Sequence, residues 1–376
     1  MDFLRYFQSL KGEMVRLLKT LVQLESPTSE KKAVDRCCAE ILKPLAGLGG
    51  RIKRFPQKEI GDLHLVEFGR PVSRTSGSPI LILTHIDTVW PLGTIDKMPF
   101  YLAGDRVYGP GALDMKAGIV MAFFALRAIS SLGAVPRRKI WLFINSAEET
   151  GNEESHRQIA ALSRKAGLVL CLEPGLPGGT IKVQRKGRVV VRFDCSGRQA
   201  HASTPDKGIN AIEELMIQLQ KLKKLKIKDM SLNIGLIGGG EKANVVPEKA
   251  WAVCDLRFWS SQDLNMLKTY LRELRPGLKG ARVKASLQSF TPPMEFSPVS
   301  RQLFDRAREI ASSLGMDLIP GRSGGGSDAS IASHLGLPCL DGLGPEGEGM
   351  HAPNENLLLP TMIQRTVLLT RLLLEL

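Results

Sequence analysis

Ile80-Leu-Ile-Leu-Thr-His85-Ile-Asp87-Thr88-Val89 is the stretch whose reading decides the fold. Its apolar, β-favouring start predicts a short buried strand, and the run then delivers a His and an Asp two positions apart. In an open α/β sheet, ligands gather at the carboxyl ends of parallel strands. A His at such a point can bind a metal through one ring nitrogen while a carboxylate holds the other. A lone His at a strand end is more often packed or solvated. His85 gains weight because later strands end in the same way.

Ile140-Trp-Leu-Phe-Ile-Asn145 is a second apolar run, and it ends in Ser146-Ala-Glu148-Glu149-Thr150-Gly151. Leu168 to Leu172 is a third, ending in Glu173-Pro174-Gly175. Between the first two, the Gly/Pro-rich stretch from Val107 to Asp114 is irregular, and an apolar helix is predicted from about Lys116 to Leu132. Asp114, in the turn before that helix, reads either as an N-cap or as a functional carboxylate. Near the carboxyl terminus, Pro338-Cys-Leu-Asp-Gly-Leu is strand-like and leads to Gly349-Met-His351, before a closing helix over 360–376. Upstream, the spacing predicts helices over 5–24 and 29–45, a strand over 63–67 and a Ser/Gly/Pro connector over 71–79.

The texture changes from about Lys186 to Phe290, which reads strand, helix, strand, strand, helix, strand. That order is the ferredoxin-like split βαβ arrangement. The expected organisation is therefore α/β, with a mixed, mostly parallel sheet flanked by helices. The larger domain is expected over 1–185 and 292–376, with a smaller α+β domain inserted at 186–291.

The chain has 376 residues, 43% hydrophobic and 24% charged, with a net charge of +13. Its Lys and Arg are dispersed, and the densest run, Lys221 to Lys228, reads as a solvated helix face. Neither a nucleic-acid partner nor a membrane is expected, since no stretch is long and apolar enough to span one. Six cysteines without Cys-x-x-Cys spacing read as core thiols in a reducing, cytoplasmic setting. The strand-end groups offer two imidazoles and several carboxylates without a thiolate. Such donors suit one or two divalent cations, zinc most naturally, with cobalt or manganese also accommodated. A two-metal site needs one carboxylate able to bridge and another free to move protons. The adjacent Glu148 and Glu149 can supply ligand and base from one turn.

Taken together, Thr84-His85-Ile86-Asp87-Thr88, Gly109-Pro-Gly-Ala-Leu-Asp114-Met115-Lys116, Ala147-Glu148-Glu149-Thr150-Gly151, Leu172-Glu173-Pro174 and Met350-His351 resemble metallopeptidase family 20. That family contains glutamate carboxypeptidase, acetylornithine deacetylase and succinyl-diaminopimelate desuccinylase. Within and after the insertion, Gly197-Arg-Gln-Ala-His201-Ala202, Ala243-Asn244, Asp255-Leu-Arg257 and Gly324-Gly325-Gly326-Ser-Asp328 match as well. The glutamate carboxypeptidase branch is the most similar.

Carried over, the resemblance implies a zinc exopeptidase fold, a dimerisation domain and two zinc ions per chain. Asp114 would bridge the ions, His85 and Glu173 completing one and Glu149 and His351 the other. Asp87 would orient His85, and Glu148 would be the general base and acid. His201 would reach across a homodimer interface to the oxyanion, while Asn244, Arg257 and Gly325 would bind a substrate carrying a free carboxylate. The expected reaction is hydrolysis of an amide bond beside such an amino acid. An N-acyl-amino-acid deacylase and a non-catalytic peptide-binding relative are the alternatives. One departure is visible. The Arg that glutamate carboxypeptidases tend to carry at the return to the catalytic domain is absent from Phe290-Thr-Pro-Pro-Met294.

Overall fold

A computed structural model describes residues 2–69 and 77–376. The connector expected over 71–79 lies largely outside them. Two compact units result: Met1–Val183 with Phe296–Arg322 and Ser327–Leu376, and Gln184–Glu295 with Ser323–Gly326.

The first unit is built on a six-stranded sheet ordered Arg51–Phe55, Leu63–Phe68, Ile140–Asn145, Ile80–His85, Leu168–Cys171 and Cys339–Leu340. Its first two pairings are antiparallel and the rest parallel. The Ile80–His85 strand is buried along its whole length, because it lies between two parallel neighbours with helices covering the faces. Register places His85 opposite Asn145, so the residues that follow both strands emerge at one edge. The covering helix Ala117–Ser131 is apolar nearly all round and buried from Ala117 to Leu126. The closing helix Leu359–Glu375 packs on it, and both belong to one continuous apolar core.

A small four-stranded sheet brings two distant loops side by side: Tyr101–Ala103, Arg106–Tyr108, Asn356–Leu358 and Gly347–Glu348. Asn356 pairs with Tyr108 and Leu357 with Val107. Strands of two or three residues carry too little periodicity to be read from sequence. The expected helix over 5–24 is instead two, Phe3–Ser9 and Lys11–Gln23, with a tight turn at Leu10 whose N–H donates to the Phe7 carbonyl at 3.1 Å. The break lets Phe7 and Met14 both face the core.

The second unit is an antiparallel sheet ordered Ser231–Gly239, Lys249–Phe258, Gly187–Ser196 and Arg282–Thr291. Helices Ala211–Lys223 and Ser261–Arg272 complete it, the chain order being the split βαβ one, and it has its own apolar core. Lys221, Lys223, Lys224, Lys226 and Lys228 are exposed while Leu222 and Ile227 are buried, as a solvated face requires.

Behind the main sheet, the buried Asp62 carboxylate accepts from Lys31 Nζ at 2.6 Å and the Gln57 N–H at 2.9 Å, and pairs with Arg54. Burial works against the charge, but these donors outweigh it and lower the carboxyl to about 2. An unfolded Asp titrates near about 3.9. The stabilisation is therefore complete above about pH 4 and is lost as pH falls from there toward about 2. Asp62→Ala should lower unfolding free energy by roughly 1–3 kcal/mol at pH 7, because the hydrogen bonds from Lys31, Gln57 and Arg54 are lost while both cations keep access to water. Urea titrations should find that difference shrinking below about pH 4.

Candidate metal centre

The sheet edge carries the chemistry. His85 ends its strand with 1% exposure, and its Nε2 lies 3.2 Å from Asp114 Oδ1 and 3.3 Å from Glu173 Oε1. His351 approaches from the opposite side, its Nε2 3.3 Å from Asp114 Oδ2 and 3.3 Å from Glu149 Oε2. The two oxygens of Asp114 thus face different imidazoles. Glu148, His85 and Glu173 present donor atoms within 4.8 Å of one another, as do His85, Asp114 and Glu149.

Local backbone explains the placement. Gly109 and Gly111 take φ of 155° and 71°, which turns the chain out of Arg106–Tyr108 and into the wide turn Ala112–Lys116 that holds Asp114. A Cβ on Gly111 would run into Thr88. Asp114 caps no helix; the helix proper begins after Lys116, whose buried Nζ donates to the Leu21 carbonyl at 2.7 Å. His351 sits at φ 59°, a left-handed conformation that costs a side chain energy and is held here by the turn between two short strands.

Electrostatics show what the cluster asks for. Burial opposes charge on His85, yet Asp114, Asp87 and Glu173 hold its pKa well above the ordinary imidazole value. Hydrogen bonds to Asp114 and Glu149 push His351 up to about 10. Burial, reinforced by the Glu173 charge, lifts Glu148 well above the usual carboxylate range, and burial raises Glu149 too. Carboxylates converge here and draw positive charge onto both imidazoles. A divalent cation on the same donors supplies that charge directly, and imidazole and carboxylate without thiolate suit zinc, cobalt or manganese. The residues present fit such a group.

Asp87 meets His85 through its main chain more closely than through its carboxylate. Its main-chain oxygen lies 3.0 Å from His85 Nδ1, whereas the carboxylate stands 3.5 Å away. That carboxylate accepts the N–H groups of Glu148 and Glu149, each at 3.2 Å, and the Thr28 hydroxyl at 2.7 Å. One buried acid therefore holds His85 and the Glu148–Glu149 turn together. Thr28 was not singled out by sequence, because Ser26-Pro27-Thr28 reads as a helix stop. Asn145 and Asp328 are a further pair beside the site: Asn145 Nδ2 donates to Asp328 at 2.6 Å, and its Oδ1 accepts the Ala147 N–H at 3.0 Å. Burial raises Asp328 to about 7.

The remaining candidates belong to the second unit. His201 is exposed, with Nδ1 2.7 Å from Ser203 Oγ and 3.2 Å from the Ser203 N–H. Asn244 is exposed and its carbonyl accepts from Ala202 at 3.0 Å. Arg257 is half-buried, with Nε 3.2 Å from Asp255 and Nη1 donating to the Gly324 carbonyl at 2.9 Å. The Gly325 N–H donates to Ser323 Oγ at 3.3 Å. His64, His156 and His334 belong to neither donor group.

A buried His–carboxylate cluster at the carboxyl edge of a mixed sheet, with a small α+β unit inserted in the chain, defines a hydrolase of the metal-dependent peptidase class. The chain belongs to peptidase family M20/M25/M40, whose family model matches residues 81–375. It is similar to carboxypeptidase G2 of Pseudomonas sp. (strain RS-16), 27% identical over 360 residues covering 92% of this chain and 85% of the other. It is also similar to succinyl-diaminopimelate desuccinylase of Rhodospirillum centenum, 27% identical over 385 residues covering 94% and 96%. In fold it resembles a dinuclear metal-binding peptidase of family M20 from Bacillus subtilis, with a TM-score of 0.75, 16% identity and 98% of each chain covered.

Replacing Thr28 with Val removes one of three donors to the Asp87 carboxylate and keeps the side-chain shape. A hydrogen bond to a charged group is worth about 1.5–3 kcal/mol. Thr28→Val should lower unfolding free energy by about 1.5–3 kcal/mol and also lower kcat, because the Glu148–Glu149 turn loses part of its anchor. An unchanged kcat would detach the hydroxyl from the site.

Proposed function

We propose that the protein is a two-metal carboxypeptidase-type amidohydrolase, cleaving the amide bond beside an amino acid with a free carboxylate. The observation that carries the reading is Asp114, with one oxygen toward His85 and the other toward His351. In this reading two zinc ions would be held by His85, Asp114, Glu149, Glu173 and His351, Asp114 serving both. When bound, such cations act as Lewis acids on a carbonyl oxygen and make water more acidic.

The chain's own groups do the rest. Glu148, an acid beside His85 and Glu173, takes the proton of the attacking water and passes it to the leaving nitrogen. His201 donates to the developing oxyanion, and a homodimer would let it serve the partner's centre. Leu236 and Ile237 on the edge strand Ser231–Gly239 are 59% and 61% exposed, an apolar edge consistent with a second copy. Arg257, steadied by Asp255, offers a planar fork to the substrate carboxylate, beside Asn244 and Gly325. All six cysteines are buried, as core residues in a cytoplasmic setting would be, and no described helix is long and apolar enough to cross a membrane.

The deacylase reading keeps standing because the desuccinylase relative matches over a comparable length and because the Thr291–Pro293 stretch lacks an Arg. Hydrolysis of folyl- or peptidyl-glutamate, compared with that of N-acetyl and N-succinyl amino acids, separates the two: the carboxypeptidase reading expects the first group to be preferred. Glu148→Gln should keep its metals and lose roughly 10²–10⁴ in kcat. Retention of more than about a tenth of activity would take Glu148 out of the proton-carrying role. His201→Ala should also be impaired, and mixing it with Glu148→Ala should recover one working site per mixed dimer. Mixtures that stay inactive at every ratio would rule out the cross-subunit role.

A further inference from the structure

Glu355 is 1% exposed and lies four residues beyond His351. Four donors converge on its carboxylate. Oε2 accepts from Trp90 Nε1 at 2.8 Å and the Gly111 N–H at 2.9 Å. Oε1 accepts from the N–H groups of Leu113 at 2.9 Å and Asp114 at 3.1 Å. A carboxylate has about four lone-pair sites, so these donors saturate it. Although it is a buried acid near the centre, it has no capacity left to ligate a cation.

The main chain of Glu355 holds a second set of contacts. Its N–H donates to the Ala352 carbonyl at 3.0 Å, closing the turn just after His351, and its carbonyl accepts the Gly109 N–H at 3.3 Å. One residue thus holds the loop that carries His351 through its N–H, and the loop that carries Asp114 through both its carbonyl and its side chain. The two loops are separated by more than two hundred residues of sequence, and they also meet where Asn356 pairs with Tyr108 and where His351 approaches Asp114.

We propose that Glu355 is a positioning residue for the metal centre, setting the spacing of Asp114 from His351 by clamping the 109–114 loop to the 351–356 loop. This rests on the two-metal reading. Outer hydrogen-bond partners of metal ligands are typically worth about 10–100-fold in metal affinity. The clamp predicts that its loss weakens the ion shared by Asp114, Glu149 and His351 while the other, held also by His85 and Glu173, is weakened less.

The test is a cobalt titration of metal-stripped full-length protein, followed by calorimetry and visible absorption. Wild type, Glu355→Gln, Glu355→Asp and Trp90→Phe are compared, with thermal unfolding run in parallel. Gln presents an amide NH₂ to at least one pair of N–H donors, so Glu355→Gln should bind its weaker cobalt roughly 10–100-fold less tightly with an altered spectrum. Trp90→Phe, which leaves all three backbone donors, should change affinity less than about fivefold. Two cobalt ions bound by Glu355→Gln with native affinity and spectrum overturn the proposal, whatever the thermal shift. Should Glu355→Gln not fold, Glu355→Asp decides in its place: its shorter arm should weaken the second cobalt at least about fivefold, and native binding overturns the proposal. Wild type that fails to take up two cobalt ions would sink the two-metal reading itself, and this inference with it.

Discussion

Everything in the first unit is arranged so that one carboxylate, Asp114, can stand between two imidazoles. His85 reaches it from the end of a fully buried strand and His351 from a loop between two short strands. Such a gathering of buried acids is repulsive in the absence of positive charge. The protein therefore depends on what supplies that charge, and both histidines are drawn toward protonation for the same reason. The surrounding backbone resists relaxation: glycines at 109 and 111 fix the turn, and Asp87 pins the Glu148–Glu149 turn through its N–H groups.

The fold and the site divide the labour. Parallel strands give a rigid edge on which His85, the Glu148–Glu149 pair and Glu173 follow from adjacent positions. The more irregular segments provide the remaining groups, Asp114 and His351. His351, half exposed, and Asp114, buried, both come from the loop side. The second unit keeps a separate core, so its His201, Asn244 and Arg257 are mounted on a body that folds around its own sheet.

Much of this was legible in the sequence, for physical reasons. Long apolar runs bounded by Gly and Pro announce buried strands, and acids or imidazoles directly after them stand out because such positions are otherwise filled by turn formers. The split βαβ order was legible because each of its elements has its own periodicity. What stayed hidden was the support. Thr28 reads as part of a helix stop, Glu355 as one more polar residue in Asn354-Glu355-Asn356, and Asn145 as the last residue of a strand. Their roles come from hydrogen bonds to residues far away in sequence, which no local pattern encodes. The edge strand Arg51–Phe55 was missed because its side chains are nearly all exposed, so no alternation marks it.

The first unit is discontinuous, and that has a consequence for how the chain acquires its centre. His85, Asp114, Glu149 and Glu173 leave the ribosome well over a hundred residues before His351, and the whole inserted unit is made in the interval. Domains generally fold as they emerge, amino-terminal parts first. Until the last segment docks, a nascent chain holds the acids and only one of the two imidazoles, with the helix that seals the core still unmade. A chain stalled at that stage exposes apolar surface around an acidic pocket short of counter-charge, so completion of the centre and burial of the core arrive as one late event.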